Sequence, residues 1–166
     1  MTRTRTATTT AAPDPLASRI DAWPAFTTHT ASDVIVAAIS MTRLVEWCGT
    51  PCVHTAEAVI PHSGGRPSDT ETDSVVVTRV LSTEWRSDLR LHVTVDADLG
   101  RSLPIMRECR IIGREVDPAV ASVTLESSAH GSLGFATSLP AKIAVGDLVA
   151  IPCRGIALLH DLRVAR

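Results

Sequence analysis

Strict alternation of apolar and polar side chains over residues 89–95 constrains the fold of this chain more than any other feature of its sequence. The apolar positions are Leu89, Leu91, Val93 and Val95, and the polar positions between them are Arg90, His92 and Thr94. A period of two residues is typical of a β-strand with one face buried and the other in water. The alternation therefore predicts a half-buried strand and a protein organised around a sheet.

Other short segments rich in β-branched and aliphatic residues predict further strands. They are residues 53–60, 74–82, 119–125, 133–139 and 143–151. Residues 62–73 are polar and predict a loop, residues 83–88 are short enough for a hairpin connection, and residues 106–112 fit either a strand or a helix. Many short linked strands favour a mostly antiparallel sheet, so we expect an α+β fold with helices covering one face.

One segment, residues 32–48, has the pattern of a helix. Ser32 or Asp33 can cap its N-terminus, and Gly49 followed by Pro51 is typical of a helix end. Apolar residues recur at helical spacing and extend well around the segment, which predicts a largely buried helix. A break near Ser40, giving two shorter helices, fits the same pattern.

The N-terminal residues 1–22 differ in composition from the rest of the chain. They are rich in Thr, Ala and Pro, and such a segment buries too little apolar surface to offset the entropy lost on ordering. We therefore expect a disordered tail at 1–22. Residues 23–166 suit a single domain, because roughly 100–200 residues per domain is usual.

Charge and hydropathy argue against two classes of partner. The formal net charge is −2, without the basic stripe that neutralises phosphates, so we expect no nucleic-acid partner. No apolar run approaches the ~18 residues that span a bilayer, and the first residues lack the apolar stretch of a secretory signal. These features predict a cytoplasmic protein with no membrane partner, and they do not indicate an oligomeric state.

The four cysteines do not have the spacing of a redox or metal motif. Cys48 and Cys52 are separated by three residues rather than two, and no second ligand pair with zinc-finger spacing follows. We expect reduced, mostly buried thiols, no metal and no cofactor.

Arg79 is the residue that points most directly to ligand binding. Its neighbours on one face of the predicted strand are Val75, Val77 and Leu81. A charge buried alone costs several kcal/mol, so this guanidinium needs an anion. The anion is either a ligand or a protein carboxylate such as Glu46 or Glu57.

A family resemblance covers roughly residues 33–104. The segment Ser40-Met41-Thr42-Arg43-Leu44-Val45-Glu46 resembles the start of a helix in chorismate pyruvate-lyases. In that family a short link and a strand follow, as Gly49-Thr50-Pro51 and residues 53–60 do here. Later strands also match in order. Thr78-Arg79-Val80-Leu81 resembles the family's arginine-bearing strand, and the segment from Leu89 to Leu103-Pro104 resembles the paired strand that follows it and ends in Leu-Pro.

The resemblance implies an antiparallel sheet with helices over a closed cavity, and cofactor-free elimination of pyruvate from chorismate to give 4-hydroxybenzoate. Arg79 would hold a carboxylate of the substrate in bidentate fashion, and Met41, Thr42 and His92 are further candidate substrate-binding residues. Two positions depart from the family. Ala38-Ile39 replaces an acidic residue, and residues 148–153 lack the glutamate expected on the last long strand.

The leading hypothesis is thus a carbon–oxygen lyase, or a binding protein, for a small carboxylated metabolite. One alternative is a hot-dog-type thioesterase or dehydratase acting on acyl carriers, with residues 32–48 as its central helix. Another is a non-catalytic binding or accessory protein, which the missing glutamate favours.

Overall fold

β-Strands dominate the described part of the chain. A computed structural model describes residues 19–129 and 131–164. In chain order its elements are β1 (Thr27–His29), β2 (Val34–Val36), β3 (Ile39–Ser40), α1 (Met41–Cys48), β4 (Cys52–Val59), β5 (Pro67–Trp85), β6 (Leu91–Val95), β7 (Leu103–Pro104), a 3-10 helix (Met106–Glu108), β8 (Arg110–Ile112), β9 (Val120–Ser127), β10 (Phe135–Pro140), β11 (Leu148–Arg154) and α2 (Leu159–Leu162).

The helix predicted for residues 32–48 forms only in its second half. The helix α1 begins at Met41, with Ser40 as its N-cap, and ends before Gly49. The first half instead forms the β2–β3 hairpin, in which Ala37 and Ala38 occupy the turn with φ of 46° and 67°. The break near Ser40 is therefore real, but the segment before it is a strand because three β-branched residues in a row favour extended backbone.

Eight strands form one curled sheet. The strand order is β10-β9-β6-β5-β11-β7, with β4 paired to β5 and β8 paired to β11. Among the described strands, β6 and β9 pair in parallel and the other neighbours in this sheet pair antiparallel. The strands β1, β2 and β3 form a separate three-stranded sheet. The molecule is thus α+β but strongly sheet-dominated.

β5 organises the main sheet because it is long enough to take two partners in succession along one edge. Residues 67–77 of β5 pair with β4, and the stretch from Val80 to Trp85 pairs with β6. At the changeover the Asp96 carboxylate accepts hydrogen bonds from the Thr78 hydroxyl and the Arg79 backbone N–H, at 2.7 and 2.8 Å. The loop predicted for residues 62–73 is wrong in its second half, because β5 already begins at Pro67.

Two apolar clusters lie on the two faces of the curled sheet. The inner cluster includes the fully buried Val93, Leu125 and Ile151. The outer cluster joins sheet residues such as Val75 and Ala150 to Trp23, Val34 and Met41 of the N-terminal part. One face is therefore covered mainly by an N-terminal segment, the small sheet and one short helix, rather than by the several helices expected from the sequence.

Several local predictions have definite outcomes. The undecided segment 106–112 forms the 3-10 helix followed by β8. Leu89, expected on the buried face of its strand, is 83% exposed in the turn before β6, with φ of 60°. Of the predicted tail, residues 1–18 lie outside the described part, whereas Ala22 is buried in the outer cluster. Within the described residues, no helix is both long and apolar enough to cross a bilayer.

Candidate functional site

Arg79 is half-buried at the point where β5 changes partners. Its guanidinium donates a hydrogen bond to the Gly146 carbonyl at 3.2 Å, and no carboxylate of the described residues forms an ion pair with it. The side chain does not line either of the two cavities described below. The Gly146 carbonyl is thus the partner of this guanidinium, and its role as a carboxylate anchor stays a prediction.

Met41 and Thr42 have structural roles at the start of α1. Met41 is fully buried in the outer cluster. Thr42 donates to one oxygen of the Asp33 carboxylate from its hydroxyl at 2.9 Å and from its backbone N–H at 3.1 Å. The same carboxylate accepts from the Ser40 hydroxyl and from Val34 N–H. Asp33 therefore ties the β2–β3 hairpin to the first turn of α1.

His92 lies between two carboxylates on the outer, uncovered face of β6. One ring nitrogen is 3.0 Å from Asp88 and the other is 2.8 Å from Glu126. These hydrogen bonds, to Asp88 first and then to Glu126, raise the pKa of His92 above its usual value. The Arg86 guanidinium also lies 2.8 Å from one ring nitrogen of His92. The imidazole links the turn before β6 to β9, so its contacts are those of a surface cross-link.

A larger cavity than the one on β9 and β10 lies between the N-terminal segment and β8. Its volume is about 510 Å³, within the range typical of small-molecule sites. The lining residues are Arg19, Ile20, Trp23, Pro24, Phe26, Thr27, His29, Val59, Gly65, Glu108 and Arg110. We call this cavity the N-terminal cleft. None of the four candidate residues from the sequence belongs to it.

Arg110 supplies the main positive charge of the N-terminal cleft. It is half-buried on β8, paired with Ala150 of β11. Its guanidinium donates to the Thr30 carbonyl at 3.3 Å and has no ion pair with a described carboxylate. Burial, followed by the repulsion of Arg19, lowers its pKa. A desolvated guanidinium with a carbonyl partner retains donors that favour an anion.

His29 is the titratable group beside Arg110. His29 is exposed on one side, but burial of the rest of its ring, then the charges of Arg110 and Arg19, lower its pKa to about 4. The imidazole is therefore neutral at physiological pH, so it can donate one hydrogen bond and accept another. The indole of Trp23 meets it edge-on, with ring centroids 4.9 Å apart and an interplanar angle of 76°.

Glu108 is the acidic residue of the cleft. Its side chain is only 11% exposed, and its carboxylate lies 3.6 Å from Arg19 Nε and 3.9 Å from Arg107 Nε. Both distances are too long for strong hydrogen bonds. Glu108 thus offsets part of the charge of Arg19 and, at longer range, of Arg110. Arg110 itself forms no ion pair within 4 Å among the described residues.

Phe26 forms an exposed aromatic edge of the cleft in a strained backbone conformation. Its φ is 57°, a value that bulky residues other than glycine rarely adopt. The side chain is nevertheless 65% exposed, so burial of the ring does not offset the strain. Backbone strain of this kind clusters at ligand sites.

The sequence contained a signal for Arg110 that resembles the one for Arg79. Arg110 stands between Cys109 and Ile111-Ile112, so it is a lone basic residue in an apolar segment. The segment could not be assigned to a strand or a helix, and the face it presents was therefore undefined. His29 and Phe26 had no comparable signal, because no strand was predicted for residues 27–29 and residues 34–36 were predicted to be helical.

The three buried cysteine thiols are unsuited to nucleophilic chemistry in the free protein. All four are unpaired, and Cys52, Cys109 and Cys153 are buried, as the sequence predicted for most of them. Burial raises the pKa of Cys52 to about 11 and that of Cys153 to about 12. In residues 19–129 and 131–164, no group of three or more His, Cys, Asp or Glu side chains could hold a metal ion.

Comparison with known proteins gives limited information. No family model matches the chain, and no curated protein matches it. Two solved structures of the arginine decarboxylase of Paramecium bursaria Chlorella virus, one bound to agmatine, are similar to part of it at 20% and 19% identity. Each match covers 49% of this chain and 24% of the decarboxylase chain, with a TM-score of 0.39. That degree of likeness supports no conclusion about fold or function.

Proposed function

We propose that this protein binds a small carboxylated metabolite in the N-terminal cleft, with Arg110 as the anchor of the carboxylate. The observation that carries the proposal is the half-buried Arg110 guanidinium, which has a carbonyl partner and no ion pair among the described residues. A planar guanidinium binds a carboxylate in bidentate fashion. The predicted ligand class is thus retained, and its anchor moves from Arg79 to Arg110.

The neighbours of Arg110 suit a ligand with both a charged and an apolar part. His29, neutral because its pKa is about 4, can hydrogen-bond to a carboxylate or hydroxyl group without adding charge. Trp23, Pro24 and Val59 provide apolar walls, and Phe26 exposes its ring at the edge. A compact carboxylic acid with an apolar body satisfies these groups together.

The experiment is a titration of the isotope-labelled protein with acetate, succinate, benzoate, 4-hydroxybenzoate and chorismate, followed by amide NMR. At least one carboxylate should shift the amides of Thr30 and Arg110 in a saturable manner. Arg110→Gln should weaken its binding by about 10- to 100-fold, because a hydrogen-bonded charge contributes about 1.5–3 kcal/mol. Arg43→Gln is the matched control, since it removes the same charge from a side chain on α1 that is 68% exposed.

Two results would end the proposal. One is the absence of saturable shifts for every carboxylate at constant ionic strength. The other is equal affinity in the Arg110→Gln and Arg43→Gln proteins.

Catalysis stays a prediction, as does the cytoplasmic location. Pyruvate release from chorismate, measured with a coupled assay, tests the lyase hypothesis, and hydrolysis of acyl thioesters tests the hot-dog alternative. We favour binding without turnover, because the N-terminal cleft contains one neutral imidazole and one ion-paired carboxylate, and residues 148–153 lack the glutamate of the lyase family.

A further inference from the structure

A second cavity lies on the outer face of the sheet, where β9 and β10 are not covered by the N-terminal segment. Its volume is about 340 Å³, and it is shallower than the N-terminal cleft. Its lining residues are Arg90, Arg107, Ser122, Ala136, Thr137 and Ser138. It thus contains two guanidiniums, three hydroxyls and a single methyl side chain.

Strand register places three of these residues in one row. Ser122 of β9 is directly opposite Ser138 of β10. Leu91 of β6 is in register with Val123 of β9, so the preceding Arg90 lies beside Ser122. Because neighbouring strands are ~4.8 Å apart, the row spans about 10 Å.

Arg107 enters from the other side of the row, on the 3-10 helix. The Thr137 hydroxyl donates to the Met106 carbonyl at 2.5 Å and holds that helix against the edge of β10. Two guanidiniums therefore flank a pair of serine hydroxyls. Neither hydroxyl has a hydrogen-bond partner among the described residues. Arg90 is half-buried and forms no ion pair there, although the charge of Asp88 acts on it. Arg107 keeps its contact with Glu108 at 3.9 Å.

We infer that this cavity, which we call the outer-face site, binds the phosphoryl group of inorganic phosphate or of a small phosphate monoester. A tetrahedral oxyanion offers three or more oxygens, enough for guanidiniums on two sides and hydroxyls between them. A lining in which polar side chains outnumber apolar ones distinguishes this site from the N-terminal cleft. It favours a small, highly hydrated anion over a carboxylate with an apolar body.

The test is a titration with inorganic phosphate and with glycerol 3-phosphate, at ionic strength held constant with sodium chloride, followed through the amides of Ser122 and Ser138. Saturable chemical-shift changes are expected with at least one of the two ligands. The ligand with the higher affinity shows whether the site prefers the free ion or the monoester. Arg90→Gln should weaken binding at least about tenfold, as expected for loss of a charged hydrogen-bond donor. Ser122→Ala combined with Ser138→Ala should also weaken it, whereas the control Arg43→Gln should change it less than about twofold.

Arg110→Gln separates this inference from the proposed function, because that variant should lose carboxylate binding and retain phosphate binding. Three results would overturn the inference. They are shifts reproduced by sodium chloride or acetate alone, equal affinities in the Arg90→Gln and Arg43→Gln proteins, and loss of phosphate binding in Arg110→Gln.

Discussion

Removing the Asp33 carboxylate should destabilise the N-terminal part of the molecule and weaken the cleft at the same time. The carboxylate accepts hydrogen bonds from Val34 N–H at 2.8 Å, from Thr42 N–H and hydroxyl at 3.1 and 2.9 Å, and from the Ser40 hydroxyl. Asp33 is partly exposed, so each bond should contribute about 0.5–1 kcal/mol, below the ~1.5–3 kcal/mol typical of hydrogen bonds to charged groups. Asp33→Ala should therefore lower the free energy of unfolding by about 2–3 kcal/mol.

Two milder variants show how much of that loss of stability comes from individual hydrogen bonds and from the charge. Thr42→Val keeps the side-chain shape and removes one donor, so it should cost about 1 kcal/mol. Asp33→Asn keeps one acceptor oxygen and removes the charge, and its cost should lie between those of the other two variants.

Urea denaturation and carboxylate binding should be measured on all three proteins. Asp33→Ala keeps the backbone hydrogen bond from Thr30 N–H to the Asp33 carbonyl but removes the side-chain bonds from Asp33 to Ser40 and Thr42. The hairpin that carries His29 should therefore loosen and ligand affinity should fall. Thr42→Val should retain full affinity, because Thr42 does not line the cleft. An Asp33→Ala protein within ~0.5 kcal/mol of wild type, the range of neutral surface substitutions, would refute this reasoning, and so would loss of ligand in Thr42→Val.

Three further predictions concern strain and pH. Phe26→Gly should raise the free energy of unfolding by about 0.5–1 kcal/mol, because glycine adopts the φ of 57° without strain. The same variant should bind benzoate more weakly. A destabilised Phe26→Gly protein would contradict this prediction. His29 has a lowered pKa of about 4. Its contribution to the free energy of unfolding should therefore be present above pH ~6.5 and be lost as pH falls towards 4. Chemical denaturation of the wild type across that range should show this loss, and the His29→Gln protein should not. His92 has a raised pKa. Its contribution to the free energy of unfolding should be complete below the unfolded-state pKa of ~6.5 and decline as pH rises through the folded-state pKa. A His92→Gln protein that is equally destabilised at pH 5 and pH 9 would argue against the cross-link.

The strands were the part of the fold that the sequence predicted best. A period-two pattern shows that one face of a strand is buried, whichever element covers it. The segments at 53–60 and 119–125 correspond closely to β4 and β9. The helix at 32–48 was only half right, since its apolar spacing fits a helix and a hairpin alike. The β-branched residues 34–36 favour the hairpin, and the Asp33 carboxylate adds contacts to residues up to nine positions away, which exist only in the folded chain.

The site was harder to predict than the fold because it depends on which strands are neighbours. Arg79 and Arg110 are both basic residues in apolar segments, and only the pairing of β8 with β11 places Arg110 beside His29 and the N-terminal segment. The outer-face site likewise requires the parallel pairing of β6 with β9, which a sequence with many short strands gave no reason to expect. The ligand class followed from residue chemistry, whereas its location followed from topology.

The imidazole titration of His29, followed by NMR with His29→Gln for assignment, tests the proposed cleft most directly. In the free protein its pKa should be about 4. Saturation with a bound carboxylate should raise that pKa, because the anion offsets the positive charge of Arg110 and Arg19; by linkage the affinity should then increase as pH falls. A His29 pKa near the usual ~6.5 that does not change with any carboxylate would contradict the account.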